Sequence, residues 1–238
     1  MRILAFDTSL GAVSVAVRWL GADGDWRLSE AHEVLTRGHA ERLMPMMGEV
    51  MRRAGLKFSD LDRIAVTLGP GNFTGVRVGV AAARALALAT GAPTVGASTL
   101  AVMAQQADAR LGSARRDRLL AVAVDARRSS IYLQLFARGY HPAGPPQLCA
   151  ADAAARRIGI APALIVGSGA EPVVRALAAA GGEAEAMLPE LLPAAGALSL
   201  LATELAPTDP LRPLYLRPPD VKPPADPALA RVTPMTKP

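Results

Sequence analysis

The run from Ile64 to Gly91 constrains this chain more than any other stretch: a short apolar strand, a glycine loop and a long apolar helix in direct succession. Ile64-Ala65-Val66-Thr67-Leu68 suits a buried strand, because β-branched side chains fit the pleated backbone. Gly69-Pro70-Gly71-Asn72-Phe73-Thr74-Gly75 then turns the chain. Its glycines admit left-handed backbone and close approach, and Pro70 stiffens the turn. Asn72 or Thr74 is placed to cap the helix that follows. Within that helix, from Val76 to Thr90, Arg77 and Arg84 are the only charges and lie two turns apart on one face. A helix so apolar needs cover on most sides. Gly91 ends it and Pro93 keeps it from resuming.

Strand, glycine loop and helix in this order can hold an anion at the helix N-terminus. The loop is neither a P-loop, since no Gly-Lys-Ser/Thr follows, nor a dinucleotide fingerprint, and a tight turn without a ligand satisfies it equally. With 238 residues, 51% of them hydrophobic, the chain can build a sizeable core without disulfides. Cys149 stands alone, which points to a reducing compartment. Charged Asp7 comes too early for a signal sequence and no apolar run approaches a membrane span, so a soluble, cytoplasmic protein without membrane contact is expected. The net charge of +5 rests on arginine, with Lys57, Lys222 and Lys237 the only lysines. No run interleaves those arginines with aromatic residues, so direct RNA binding is weakly suggested.

The chain opens on a buried strand, Ile3-Leu4-Ala5-Phe6, ending in Asp7-Thr8-Ser9. Gly11 turns it into a returning strand, Ser14 to Trp19, and a third strand follows with Trp26 and Leu28. A carboxylate and two hydroxyls at a hairpin mouth suit a phosphate or hydrated metal, or simply cap the turn. From His39 a helix is predicted with the stripe Ala40, Leu43, Met44, Met47, Val50, Met51 and Ala54, with Met46 off it, Pro45 marking a kink or an entry turn and Gly55 ending it. Half of the methionines fall between Met44 and Met51, and methionine favours adaptable binding surfaces as well as irregular cores. Two helices with excess apolar surface in one half predict a partner.

The opening pattern then recurs. Leu119 to Val124, ending in Asp125, matches the strand ending at Asp7; Ser129 to Leu135 matches its return; and Ala163 to Val166 with Gly167-Ser168-Gly169 echoes the strand into Gly69-Pro70-Gly71. This is an internal duplication, with a shorter second copy. It predicts an α/β fold of two mixed-sheet lobes flanked by helices. The divisions fall at 1–98, 99–205 and a proline-rich segment 206–238, in which Tyr215-Leu216-Arg217 packs on the body and the chain beyond Pro223 is extended or disordered.

Two lobes that each open on an aspartate-bearing hairpin resemble the actin-like, ribonuclease-H-like superfamily of sugar kinases and chaperone ATPases. Ile3 to Ser9, His39 to Met47, Gly69-Pro70-Gly71-Asn72-Phe73-Thr74-Gly75-Val76-Arg77, Asp125-Ala126-Arg127, Gly167-Ser168-Gly169 and Tyr215-Leu216-Arg217 are similar to the TsaB family over roughly residues 1 to 217. That family is related to TsaD, which transfers a threonylcarbamoyl group to an adenosine beside the tRNA anticodon. The resemblance implies a supporting role in that modification, with TsaD and the ATPase TsaE as partners and tRNA reached through the complex. TsaD-like proteins carry a His-x-x-x-His metal pair at positions that here are Thr99 and Met103, a hydroxyl and a thioether that cannot grip a divalent cation. No His-Glu-x-x-His exists for a peptidase, and Cys149 reads as a small buried residue.

The expectation is therefore a non-catalytic subunit, a homodimer when alone, that docks through Ala40, Leu43, Met44, Met47, Met51, Val76, Val80, Ala83 and Ala87. Ala83→Arg would break that contact. No cofactor is expected in the isolated chain. A nucleotide, ATP or ADP, held weakly or at a partner interface would use Asp7, Thr8, Ser9, Gly69, Gly71, Asn72, Gly167 and Gly169. The alternative is an ATP-dependent phosphotransferase of the sugar-kinase type built on the same residues.

Overall fold

The computed structural model describes residues 1–115, 118–137 and 141–217. The tail expected beyond Pro223 lies outside them. The first half runs β1 (Arg2–Asp7), β2 (Ala12–Leu20), β3 (Trp26–Val34), α1 (His39–Ala54), β4 (Arg63–Thr67), α2 (Phe73–Thr90) and β5 (Thr94–Ala97). After α3 (Thr99–Leu111) come β6 (Leu119–Asp125), β7 (Ile131–Phe136), β8 (Gln147–Cys149), α4 (Ala151–Ile158), β9 (Ala163–Val166), α5 (Ala170–Ala179), β10 (Ala184–Met187) and finally α6 (Ala195–Glu204). The first sheet has the order β3-β2-β1-β4-β5 and the second β8-β7-β6-β9-β10, so the duplication read from the strands is a duplication of topology. In each sheet the first three strands form an antiparallel meander and the last two add in parallel. The second copy is the reduced one: α1 and α2 have 16 and 18 residues, α4 and α5 only 8 and 10.

Both central strands are covered on both faces, and their alternation assigns the faces. Leu4 and Phe6 of β1 join Val13, Val15 and Val17 of β2 under α1 and α2. Ile3 and Ala5 point the other way, onto Ala195, Leu198 and Ala202 of α6. In β6, Leu120, Val122 and Val124 face α3, while Ala121 and Ala123 face α4 and α5. Alanine supplies one side of each sheet, which is how a chain poor in aromatics still packs closely.

Two expectations change. Helix α6 falls in the segment assigned to the second lobe, yet packs on the first sheet. Its N-terminus is held by Ser14, whose Oγ accepts from the Ala195 N–H at 2.9 Å, and Arg63 donates to the carbonyls of Ala202 and Leu205 at its other end. In α1 the buried residues are Leu43, Met46, Met47, Val50 and Met51, so Met46 belongs to the stripe and Met44, half exposed, does not. The cause is phase, since positions 43, 46, 47, 50 and 51 share one helical arc and Met44 lies at its edge. The helix runs through Pro45 without interruption, its N-terminal and C-terminal flanking glycines, Gly38 and Gly55, both left-handed.

Candidate functional site

The glycine loop is filled by its own chain. A side chain at Gly71 would meet the Ser9 carbonyl oxygen at 2.2 Å, and one at Gly75 the Thr8 carbonyl at 2.0 Å. The Asn72 N–H donates to the Ser9 carbonyl at 2.7 Å, and Thr8 Oγ1 donates to the Gly75 carbonyl at 2.7 Å. Only glycine lets the two backbones approach this closely. Thr8 and Ser9 thus pack directly on one side of the loop, while Gly71 and Asn72 also line the cleft described below. Asn72 caps α2, its side chain accepting from the Thr74 N–H. Gly69, at φ +102°, sits against the Leu214 carbonyl.

Asp7, Thr8 and Ser9 are correspondingly buried, not displayed at a hairpin mouth. Asp7 Oδ1 accepts from Ser9 Oγ at 2.6 Å and from Thr67 Oγ1, while Thr99 Oγ1 donates to Ser9 Oγ at 3.0 Å. This polar network joins the ends of β1 and β4 to the first turn of α3. Burial raises the Asp7 carboxyl from 3.8 to about 6, opposed by the bonds from Ser9 and Thr67 and by the nearby His39 charge. Its Oδ2 has no hydrogen-bond partner among the described residues. Gly167 and Gly169 play the same packing role in the second lobe: a side chain at Gly167 would strike the Ala123 carbonyl at 2.6 Å, and the Gly169 N–H donates to that carbonyl at 2.9 Å. Gly71, Gly75, Gly167 and Gly169 are thus places where each lobe's own backbones approach closely. Thr99 and Met103 are both fully buried, and among the described residues no three His, Cys, Asp or Glu converge on a metal site.

Of the nine docking residues, Leu43, Met47, Met51, Val76, Val80 and Ala83 lie inside the first lobe's core, because they are the faces of α1 and α2 turned to the sheet. Ala40 and Met44 are exposed and Ala87 half-buried. The exposed surface of α2 is nevertheless apolar: Ala81, Ala85, Leu88 and Ala89, with Leu88 90% exposed. On α1, Met44, Pro45 and Gly48 are exposed as well. Among the described helices α2 alone has the length and mean hydropathy, 1.3 over 18 residues, to cross a membrane, where the sequence suggested none. Gly75, Val76, Gly79, Val80 and Ala83 tie it to the sheet, so the question for α2 is what covers its outer face.

Beside the N-terminus of α2 a cleft of about 830 Å³ opens between the two hairpins, walled by Leu10, Val34, Val76, Asp125, Leu192 and Leu214 among others. At its edge the Arg77 guanidinium lies 3.6 Å over the Phe73 ring and its Nε donates to Tyr215 Oη at 2.8 Å, while the Phe73 and Tyr215 rings are 5.3 Å apart. Arg127 and Arg217 line the same cleft. Sequence reading missed this cluster, since Arg77 and Tyr215 are 138 positions apart; the sole signal was an aromatic residue and an arginine adjoining a leucine near the end of the packed chain.

Residues 32–194 match the family of TsaD, tRNA N6-adenosine threonylcarbamoyltransferase. The chain is 39% identical over 132 residues to the tRNA threonylcarbamoyladenosine biosynthesis protein TsaB of Escherichia coli, a match covering 56% of this chain and 53% of that protein. Against TsaB of Haemophilus influenzae it is 36% identical over 138 residues, 58% of this chain and 55% of that one. The match therefore spans about half the length of these curated relatives. An uncharacterized protein of Mycobacterium tuberculosis is 35% identical over 221 residues, 93% of this chain and 94% of its own. A crystal structure from Pseudomonas aeruginosa, of an uncharacterized protein with similarity to peptidase YeaZ, superposes with a TM-score of 0.77 at 31% identity, over 91% of this chain and 99% of that one.

Proposed function

This chain belongs to the family of TsaB and TsaD proteins, and from that premise we propose that it is a non-catalytic subunit in the threonylcarbamoyl modification of tRNA adenosine, docking a TsaD-type partner through the outer faces of α1 and α2. The observation that carries this reading is the exposed apolar ridge Ala81, Ala85, Leu88 and Ala89, with Met44 and Pro45 exposed on α1. Alanine spaced at one turn gives a smooth surface onto which another helix can close. Such a ridge, rimmed by Arg77 and Arg84, has the apolar centre and polar edge of an interface. The glycine loop supports a scaffold over a phosphotransferase, because Thr8 and Ser9 pack directly on one side of it. The subunit reaches TsaE and tRNA through the complex and, when alone, pairs with a second copy through the same ridge.

Ala83→Arg does not test this, because Ala83 is fully buried and its replacement would unfold the lobe. Ala85→Arg does. It places a charged, long side chain on the ridge of a chain that still folds, and co-purification with the TsaD-type partner should fall at least ~100-fold, in keeping with truncation or charge placement at an interface centre. Retained co-purification by folded Ala85→Arg would remove the ridge from the interface.

A further inference from the structure

The cleft edge gathers what the linear sequence keeps apart. Phe73 and Tyr215 are 40% and 43% exposed, and they form one tilted stack that holds the Arg77 guanidinium flat. Among the described residues no carboxylate pairs with Arg77, Arg127 or Arg217, in contrast to Arg27, Arg42, Arg118 and Arg156, each of which has an acidic partner. Arg127 starts three consecutive left-handed residues, Arg127, Arg128 and Ser129, in the β6–β7 turn. Such backbone is strained for residues that carry a side chain. The turn is held by the Arg127 N–H donating to Asp125 Oδ1 at 2.8 Å and by the Arg217 guanidinium reaching the Arg127 carbonyl at 3.5 Å. The single carboxylate in the cleft wall, Asp125, is thereby engaged with backbone.

Exposed rings beside guanidinium groups without a carboxylate partner are the two parts of a single-stranded nucleic-acid site: rings stack bases of any identity and arginines follow phosphates. We infer that this cleft edge binds unpaired nucleotides of an RNA strand, with a base on the Phe73–Tyr215 stack and the flanking phosphates on Arg127 and Arg217. The choice of RNA rests on the tRNA reading above; the ring-and-arginine site does not. An acidic peptide would use the arginines but leave the rings without a role. Within the proposed complex, this chain then adds its own contact to the tRNA.

The test is fluorescence anisotropy of a labelled octauridylate with the full chain at low salt. Arg127→Glu with Arg217→Glu should weaken binding at least 10-fold and reduce the slope of log affinity against log salt by about 1.4, two phosphate contacts at ~0.7 each for a single strand. Tyr215→Leu should weaken binding ~5- to 100-fold with the salt slope kept, and Tyr215→Phe should retain it, the range expected for one base stack. Arg156→Glu with Arg175→Glu, the same charge change on α4 and α5, should leave affinity within twofold. Equal loss in that control would overturn the site, as would parent-like binding by the Arg127/Arg217 variant, absence of binding by the parent chain, or equally tight binding of polyglutamate or free AMP. Retention of the TsaD-type partner by the Arg127/Arg217 variant, against its loss in Ala85→Arg, separates failure of this site from failure of the docking surface.

Discussion

Asp7 is fully buried, with one oxygen bonded and the other without a partner among the described residues. Its carboxyl titrates near 6 in the folded protein and near 3.8 in the unfolded chain. The folded state therefore holds the proton more tightly. The stabilising contribution is full below pH 3.8 and is lost as pH rises through 6. A shift of this size corresponds to ~3 kcal/mol. Asp7→Asn keeps an acceptor for Ser9 and Thr67 but carries no charge. Relative to the parent, its unfolding free energy should rise by ~2.5 kcal/mol between pH 4 and pH 7.5, a difference that denaturant titrations at the two pH values would read. A flat difference would mean that Asp7 is already neutralised or hydrated. Gly75→Ala should be far more damaging, since its methyl would stand 2.0 Å from the Thr8 carbonyl, a backbone atom with no room to retreat; loss of cooperative unfolding is the expected readout. The sequence displayed Asp7, Thr8, Ser9 and the glycines as the chain's distinctive polar and flexible residues, but it offered two destinations for them. Which one the fold takes depends on Ser9 meeting Asn72 across 63 positions, a distance no local pattern encodes.

At the scale of elements, helix ends were legible and helix faces only partly so. Gly55 and Gly91 end α1 and α2 with left-handed backbone, as glycine after an apolar run implies. The phase of α1 was harder, because five methionine or leucine side chains within nine residues satisfy two neighbouring arcs and only the sheet beneath selects between them. The segment after α6 carried no periodicity at all, yet it straps the first lobe. The Thr208 N–H donates to the Thr94 carbonyl at 2.7 Å and the Leu214 N–H to the Leu68 carbonyl at 2.7 Å, while Arg84 of α2 donates to the Leu211 carbonyl. Leu211 itself is 2% exposed within the α1–α2 core. Its prolines conceal this, since they remove donors without forbidding an extended strap. Leu211→Ala should cost ~2–4 kcal/mol by chemical denaturation, the usual range for a buried leucine. It should also loosen Tyr215 from Arg77. A cost below ~0.5 kcal/mol would show that the strap follows the lobe without supporting it.

Over the whole molecule the duplication was readable because strands carry it: both copies keep the order of meander, helix, parallel strand, helix, parallel strand. The allegiance of α6 was not, since a helix buried through Ala195, Leu198, Ser199, Leu201 and Ala202 shows no polar face to orient it. Its position makes the first lobe discontinuous in sequence. One face of the first sheet, through Ile3, Ala5, Ala16, Ala65 and Val95, is covered by a helix that arrives about a hundred residues after that sheet is complete. Residues 1–98 alone would present that apolar face to water, together with the unfilled end of Ser14. Such a fragment should lack a cooperative unfolding transition and should associate. Joining it to residues 195–217 through a flexible Gly/Ser linker should restore cooperativity, because the chain then brings back both α6 and the strap. Circular dichroism melts of the two fragments decide the matter. A sharp melt from residues 1–98 alone would mean that α6 merely rests on a lobe already complete, and the contacts at its two ends, Ser14 and Arg63, would then be dispensable.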